Sequence, residues 1–413
     1  MNTTATPRAA GAPPLRHDAA VIGLVGVAHM MSHFSQLLLA PLFPWLKTEF
    51  NVSYAELGFL LSVFFVVSCA VQATAGFVVD RYGPRPALLS GLGLLGVAAL
   101  GFAGSTHYLT LLLFAVVAGV GNGVFHPVDY TVLNRKVSPS RLGHAYSVHG
   151  VTGSLGWALA PAMLVPLATL FGWRTALLAA AGLIFAVLAL VFWQRDRLEL
   201  PAAPVPARQA GAPAESALGF LSIPAVWMCF GFFFFYAAVL SVVQTFAPAA
   251  AGHLTSMAPT LAALCLTVYM VASAAGMVAG GFLVADASRA ERVVGAGFGV
   301  AALFALGMAL LPVPGALVPA LFAGMGFVTG VAGPSRDMLV KRSTPDNATG
   351  RVYGVVYAGL DIGQAVMPLL FGALMDHGQY RAVWLGLAAL QGVLIASAFN
   401  VRRVRRTPSP VLA

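Results

Sequence analysis

Charge is scarce in this chain. Only 9% of its 413 residues are Asp, Glu, Lys or Arg, against 59% hydrophobic, whereas a soluble domain carries about a quarter charged residues. So few charges cannot form the polar shell of a water-soluble enzyme or binding module of this size. Cysteine is rare too. Cys69, Cys229 and Cys265 stand far apart inside apolar runs, so neither a disulfide framework nor a cysteine metal site is expected. No G-x-x-x-x-G-K-[ST] loop occurs anywhere, which leaves ATP-driven pumping without support. A cleavable leader is not expected either. The first twenty residues hold Arg8, Arg16, Pro7, Pro13 and Pro14, and the first apolar stretch runs on into a full membrane span.

What the chain has instead is length of apolar sequence, with a mean hydropathy of +0.85. Runs long enough to cross about 30 Å of hydrocarbon recur throughout. They lack the alternation of a barrel strand, and backbone groups in lipid must be bonded within their own segment, so an all-α membrane protein follows. Twelve spans are expected: 20–46, 54–79, 86–105, 108–134, 142–170 and 173–194, then 221–249, 258–285, 292–311, 314–340, 350–375 and 380–400. The expected organisation is a disordered tail (1–19), a six-helix bundle (20–196), a cytoplasmic linker (197–218), a second bundle (219–401) and a basic tail (402–413). The linker is assigned from Pro201, Pro204, Pro206 and Pro213 in a stretch without apolar period.

A net charge of +9 is explained by orientation, not by nucleic acid. With both termini in the cytoplasm, 19 of the 23 basic residues fall inside and only Lys47, Arg174 and Arg381 outside, leaving Arg336 within a span and away from its first two residues. A bacterial-type inner (plasma) membrane is the expected location.

Shifting the second half by 207 residues aligns Gly123 with Gly330, Pro127 with Pro334, Arg135 with Arg342, Gly143 with Gly350, Tyr146 with Tyr353, Gly156 with Gly363 and Pro161 with Pro368. Chance matches in apolar sequence favour Ala, Leu and Val, so this register marks two related six-helix halves with a substrate site where they meet.

The loop after the second span reads Gly76, then Asp80-Arg81-Tyr82-Gly83-Pro84-Arg85, and it resembles the G-x-x-x-D-R-x-G-R/K-R/K signature of the major facilitator superfamily. Its counterpart from Gly281 to Asp286 and Arg289 is degenerate. The resemblance implies two pseudo-symmetric six-helix bundles that transport by alternating access, with Gly76, Asp80, Arg81, Gly83 and Arg85 as a conformational latch. Asp80 would gain from a helix N-terminus and Gly83 would allow a tight turn. The stretches Gly121-Asn122-Gly123-Val124-Phe125-His126-Pro127 and Gly143-His144-Ala145-Tyr146-Ser147 are similar to the fosmidomycin-resistance branch, which implies a proton-driven exporter of a small organic solute or drug. Val128 and Asp129 stand where that branch often has a glutamate, and Ala160-Pro161 where drug antiporters tend to show Gly-Pro.

Polar groups inside spans are costly, so each is a functional candidate. His29, His33 and Gln36 share one face of the first span, and Asn122, His126 and Asp129 one face of the fourth. Tyr357, Asp361 and Gln364 repeat the spacing in the eleventh, while the seventh adds Tyr236 and Gln244 and the fifth Tyr146 and His149. Proton coupling is assigned to Asp129, His126 and Asp361, since a nearby imidazole can share a carboxylate's proton. Substrate contact is assigned to Arg336, His29, His33, Gln36, Asn122, Tyr146, His149, Tyr236, Gln244, Tyr357 and Gln364. Arg336 holds the repeat position of Asp129, beside Asp337, and its guanidinium suits a carboxylate or phosphonate. Gly150, Gly153 and Gly156 are read as permitting close helix packing.

The expected function is proton-coupled transport of a small anionic or zwitterionic solute, export favoured, by a monomer without a cofactor or catalytic residues. A second reading is transport of copper or a metal chelate through His29, His33, Met30 and Met31. A third, an intramembrane metalloenzyme, would need three or four converging ligands.

Overall fold

The computed structural model describes residues 15–200, 224–283, 290–343 and 349–406, with side chains at all of these except 77, 80, 143, 225, 259, 263, 281–283, 290, 336–343, 349–356 and 400–406. Among the described residues every regular element is helical. The helices are α1 (Leu15–Gln36), α2 (Phe43–Phe50), α3 (Tyr54–Tyr82), α4 (Pro84–Ala103), α5 (Tyr108–Asn122), α6 (Phe125–Lys136), α7 (Leu142–Phe171) and α8 (Trp173–Trp193) in the first half. The second half holds α9 (Pro224–Thr245), α10 (Ala247–Thr255), α11 (Pro259–Leu283), α12 (Ala290–Leu310), α13 (Val318–Ser343), α14 (Thr349–Asp376) and α15 (Tyr380–Arg406). Among the described residues twelve stretches are long and apolar enough to cross a membrane, six in each half, with α1–α2 and α5–α6 each forming one of them.

Local signals set the ends of these helices. Ser53 and Glu56 form a capping box at the start of α3: the Glu56 amide donates to Ser53 Oγ at 3.1 Å, and the Ser53 amide to Glu56 Oε2 at 2.7 Å. Gly83 turns α3 into α4 with φ +83°, a conformation glycine adopts without strain. The chain enters α1 at Leu15, inside the stretch expected to be a disordered tail. Asp18 explains why: it is fully buried and accepts from Ser138 Oγ at 2.7 Å and Arg141 Nη1 at 2.6 Å, tying α1 to the α6–α7 connection. At the other terminus α15 runs to Arg406, past the expected span end. Most of the expected linker, from residue 201, lies outside the described residues.

The two halves repeat one packing pattern. α1 packs on α7, α3 on α5, α4 on α8 and on α5; correspondingly α9 packs on α14, α11 on α13, α12 on α15 and on α13. Between halves, α3 lies against α14 and α7 against α11. Backbones approach closely at equivalent glycines. A methyl group on Gly119 or Gly123 would fall 2.6 Å from the carbonyl oxygens of Phe64 or Ser68, and one on Gly326 or Gly330 would overlap those of Tyr269 or Ser273. Small residues at such crossings are what membrane helices use in place of a hydrophobic drive.

The halves are joined at the face away from the termini. Asp376, at the end of α14, accepts from the backbone amides of Tyr54 at 2.7 Å and Ala55 at 2.8 Å, the first turn of α3. Lys47 Nζ lies 3.8 Å from the same carboxylate. One turn deeper, Gly58 leaves room for the Pro368 carbonyl, and Ser62 Oγ donates to the Ala365 carbonyl.

Candidate functional site

The fourth span is not one helix. Pro127 has no amide hydrogen to offer the carbonyl four residues back, that of Gly123. α5 therefore ends at Asn122 and α6 begins at Phe125. The face shared by Asn122, His126 and Asp129 accordingly divides into two groups. Asn122 joins a closed amide and hydroxyl network: its Oδ1 accepts from Ser32 Oγ at 2.7 Å and Gln36 Nε2 at 3.4 Å, and its Nδ2 donates to Ser68 Oγ at 2.9 Å. Trp157 Nε1 donates to Gln36 Oε1 at 2.9 Å.

His126 and Asp129, one turn further on, enter a histidine cluster. Asp129 is fully buried, with Oδ2 2.9 Å from His29 Nδ1 and 3.1 Å from His149 Nε2. His29 and His149 stack with ring centroids 3.6 Å apart. His33 lies 4.4 Å from His29 and 4.2 Å from Trp157, while His126 lies 5.3 Å from His29. The cluster thus draws on α1, α6 and α7 of one half. His126 also reaches the other half, its ring 5.9 Å from that of Tyr357 on α14. Tyr130 Oη lies 3.4 Å from Tyr357 Oη.

The second half presents amides and phenols. Gln364 Nε2 donates to Gln244 Oε1 at 3.3 Å, and Asp361 Oδ2 accepts from Gln72 Nε2 of α3 at 3.2 Å. Tyr236 lines a small cavity between the halves together with Ser154 and Trp157 of α7, Tyr269 and Met277 of α11, and Thr329 of α13. Tyr269 Oη and Thr329 Oγ1 stand 3.0 Å apart.

Other expected site residues fall elsewhere. Tyr146 donates to Asn134 Oδ1 and is 38% exposed, toward the termini side of the cluster. Arg85 Nη1 lies 3.6 Å from Glu199 and 3.9 Å from Asp196, Arg81 lies over Tyr82, and Gly76 has open space around it. The side chains of Asp80, Arg336 and Asp337 lie outside the described residues.

Ser32, Ser68, Gln72, Tyr130 and Trp157 were not among the sequence candidates. Three of them carried a signal: Ser32 stands three residues after His29 and four before Gln36, Tyr130 four after His126, and Trp157 eight after His149, so each shares a helix face with a candidate.

The profile described as Major Facilitator Superfamily matches residues 25–254 and 229–412. The fosmidomycin resistance protein of Escherichia coli (strain K12) is 29% identical over 166 residues, 40% of each chain, so the match spans well under half of that relative. The probable nitrate/nitrite transporter NarK2 of Mycobacterium tuberculosis (strain ATCC 25618 / H37Rv) is 27% identical over 370 residues, 88% of this chain and 90% of that one. Among solved structures, a bacterial homologue of the human lysosomal transporter Spinster superposes with a TM-score of 0.74 over 97% of this chain and 100% of that one, at 15% identity, a likeness of fold alone.

Proposed function

The chain belongs to the Major Facilitator Superfamily, and on that footing we propose that it is a proton-coupled secondary active transporter of a small anionic or zwitterionic organic solute, working by alternating access with export favoured. The observation that carries the reading is the meeting of the two halves: a cavity is lined from both of them, and Asp376 binds the start of α3 across the joint at the face away from the termini. A site between two packed bodies opens to one side or the other as the bodies rock.

Asp361 is the proton carrier in this reading. It is 9% exposed, and its partner Gln72 is neutral and belongs to the other half. A carboxylate in that position changes the bond between halves when it gains or loses a proton, so the proton acts with different strength on the two conformations. Arg336, on α13, supplies the planar fork for the solute's acidic group. An anionic cargo also agrees with the name of the relative that matches along most of the chain. Export agrees with the resistance function in the name of the other.

The test is transport in proteoliposomes with an imposed pH gradient and a panel of small organic anions and drugs. The wild type should move at least one of them with the gradient. Asp361→Asn should lose the gradient drive while still binding the solute, and Arg336→Ala should lose binding. Equal gradient-driven transport by wild type and Asp361→Asn would remove the proton role from Asp361.

A further inference from the structure

We propose that His29, His126 and His149, two of them in contact with Asp129, form a binding site for one divalent transition-metal cation within the first half of the bundle. One ligand nitrogen from each of the three imidazoles lies within 4.8 Å of the other two. Bonds of about 2.0–2.1 Å in a tetrahedral site set ligand atoms about 3.3 Å apart. Closing the difference takes about 1.5 Å at most, within the reach of imidazole rotation about its side-chain bonds.

The polar atoms at the centre are only partly satisfied by one another: His149 Nε2 and Asp129 Oδ2 share a hydrogen bond at 3.1 Å. His29 Nδ1 is only 2.9 Å from Asp129 Oδ2, yet the two are not aligned as a hydrogen bond. His126 Nδ1 and Asp129 Oδ1 are buried without a hydrogen-bond partner. His29 is 2% exposed and Asp129 0%, so bulk water does not serve them. Unpaired polar groups at such depth cost free energy that a ligand can recover.

Asp129 has the place of a carboxylate behind metal-bound imidazoles. Such a group fixes ring orientation and raises ligand basicity. It touches both His29 and His149, whereas His126 completes the trio from the side that faces Tyr357. Three imidazoles and no thiolate suit zinc, cobalt, nickel or cupric ions, and not the harder calcium or magnesium. All four residues belong to one half, so the site does not depend on the solute, direction or proton carrier proposed above.

The experiment is metal binding by the purified full-length chain in detergent. Stripped protein should take up one equivalent of Co²⁺ with the strong visible bands of a tetrahedral site, and Zn²⁺ should displace it. His126→Ala and His149→Ala should each abolish the bands, Asp129→Asn should weaken affinity by about 10–100-fold, and His107→Ala, outside the cluster, should bind as wild type. Size-exclusion profiles and helical circular dichroism identify any variant that has failed to fold. Absence of stoichiometric Co²⁺ in the wild type overturns the proposal, as does unchanged binding in folded His126→Ala and His149→Ala. Solute transport by a protein that binds no metal would leave the transporter reading standing and remove this one alone.

Discussion

Gly153 lies where α7 crosses α1, and a methyl group there would stand 2.8 Å from His33 Cε1, 2.9 Å from its Nδ1 and 3.1 Å from His29 Nε2. Gly156, one turn on, faces the Met30 carbonyl more closely still, while Gly150 has nothing within 4 Å. The close-packing role expected of all three glycines therefore applies to two of them. Gly153→Ala should push both imidazoles aside at a cost of about 1–3 kcal/mol. The check is a lowered thermal midpoint of the purified protein relative to both wild type and Gly150→Ala. The reach of sequence reading ends at this scale. Spacing within one helix places His29 and His33 on a single face, but it says nothing of which residue from another helix will lie over them. His149 stacks on His29 through a tertiary crossing, and no periodicity of α7 announces it. Asp129 was legible as a buried charge, and its partners were not.

At the scale of the helix, hydropathy found the spans and overlooked their interruptions. The stretch from 108 to 134 is long enough for one span, and its apolar first part hides the break that Pro127 introduces further on. Hydropathy counts side chains, whereas the break follows from a missing backbone donor. The start of α1 was misplaced for the complementary reason. Asp18 looked like part of a polar tail because its partners, Ser138 and Arg141, are far away in the chain. The first turn of α3 offers a test on this scale. Asp376 receives two of its amides, which otherwise lack acceptors within the helix. Asp376→Ala should cost about 1 kcal/mol, as does loss of a capping side chain elsewhere. Asp376→Asn, which keeps one carbonyl oxygen, should cost less. Thermal unfolding of the two variants side by side decides it, and equal midpoints with wild type would show that the bonds contribute nothing.

For the molecule as a whole, the repeat is legible in both sequence and structure, but the joint between halves is legible only in the latter. Gly119 and Gly123 correspond to Gly326 and Gly330 at a shift of 207 residues, and the carbonyls they face, on Phe64 and Ser68 against Tyr269 and Ser273, correspond at a shift of 205. Each half is thus the same set of helix crossings made twice. The choice of α3 against α14 and α7 against α11 has no counterpart inside either half and left no periodic trace. Gly58 tests that joint, because a methyl group there would lie 2.6 Å from the Pro368 carbonyl. Gly58→Ala should part the halves at the face away from the termini. With Cys69, Cys229 and Cys265 replaced, a thiol introduced as Ser62→Cys should react several-fold faster with a water-soluble reagent in the Gly58→Ala background, and an unchanged rate would place the constriction elsewhere.

The clamp at that same face is also unequal in how it can be inherited. Its acceptor is one side chain, Asp376, whereas its donors are the main-chain amides of positions 54 and 55. Every amino acid except proline carries such an amide. Genetic drift can therefore rewrite the side chains at 54 and 55 almost freely without removing the donors, while a single codon change at 376 removes the acceptor. A lineage that needed a looser joint would find it by altering the second half of the chain, and a suppressor of that change could not be recovered by substituting the side chains that stand at the start of α3.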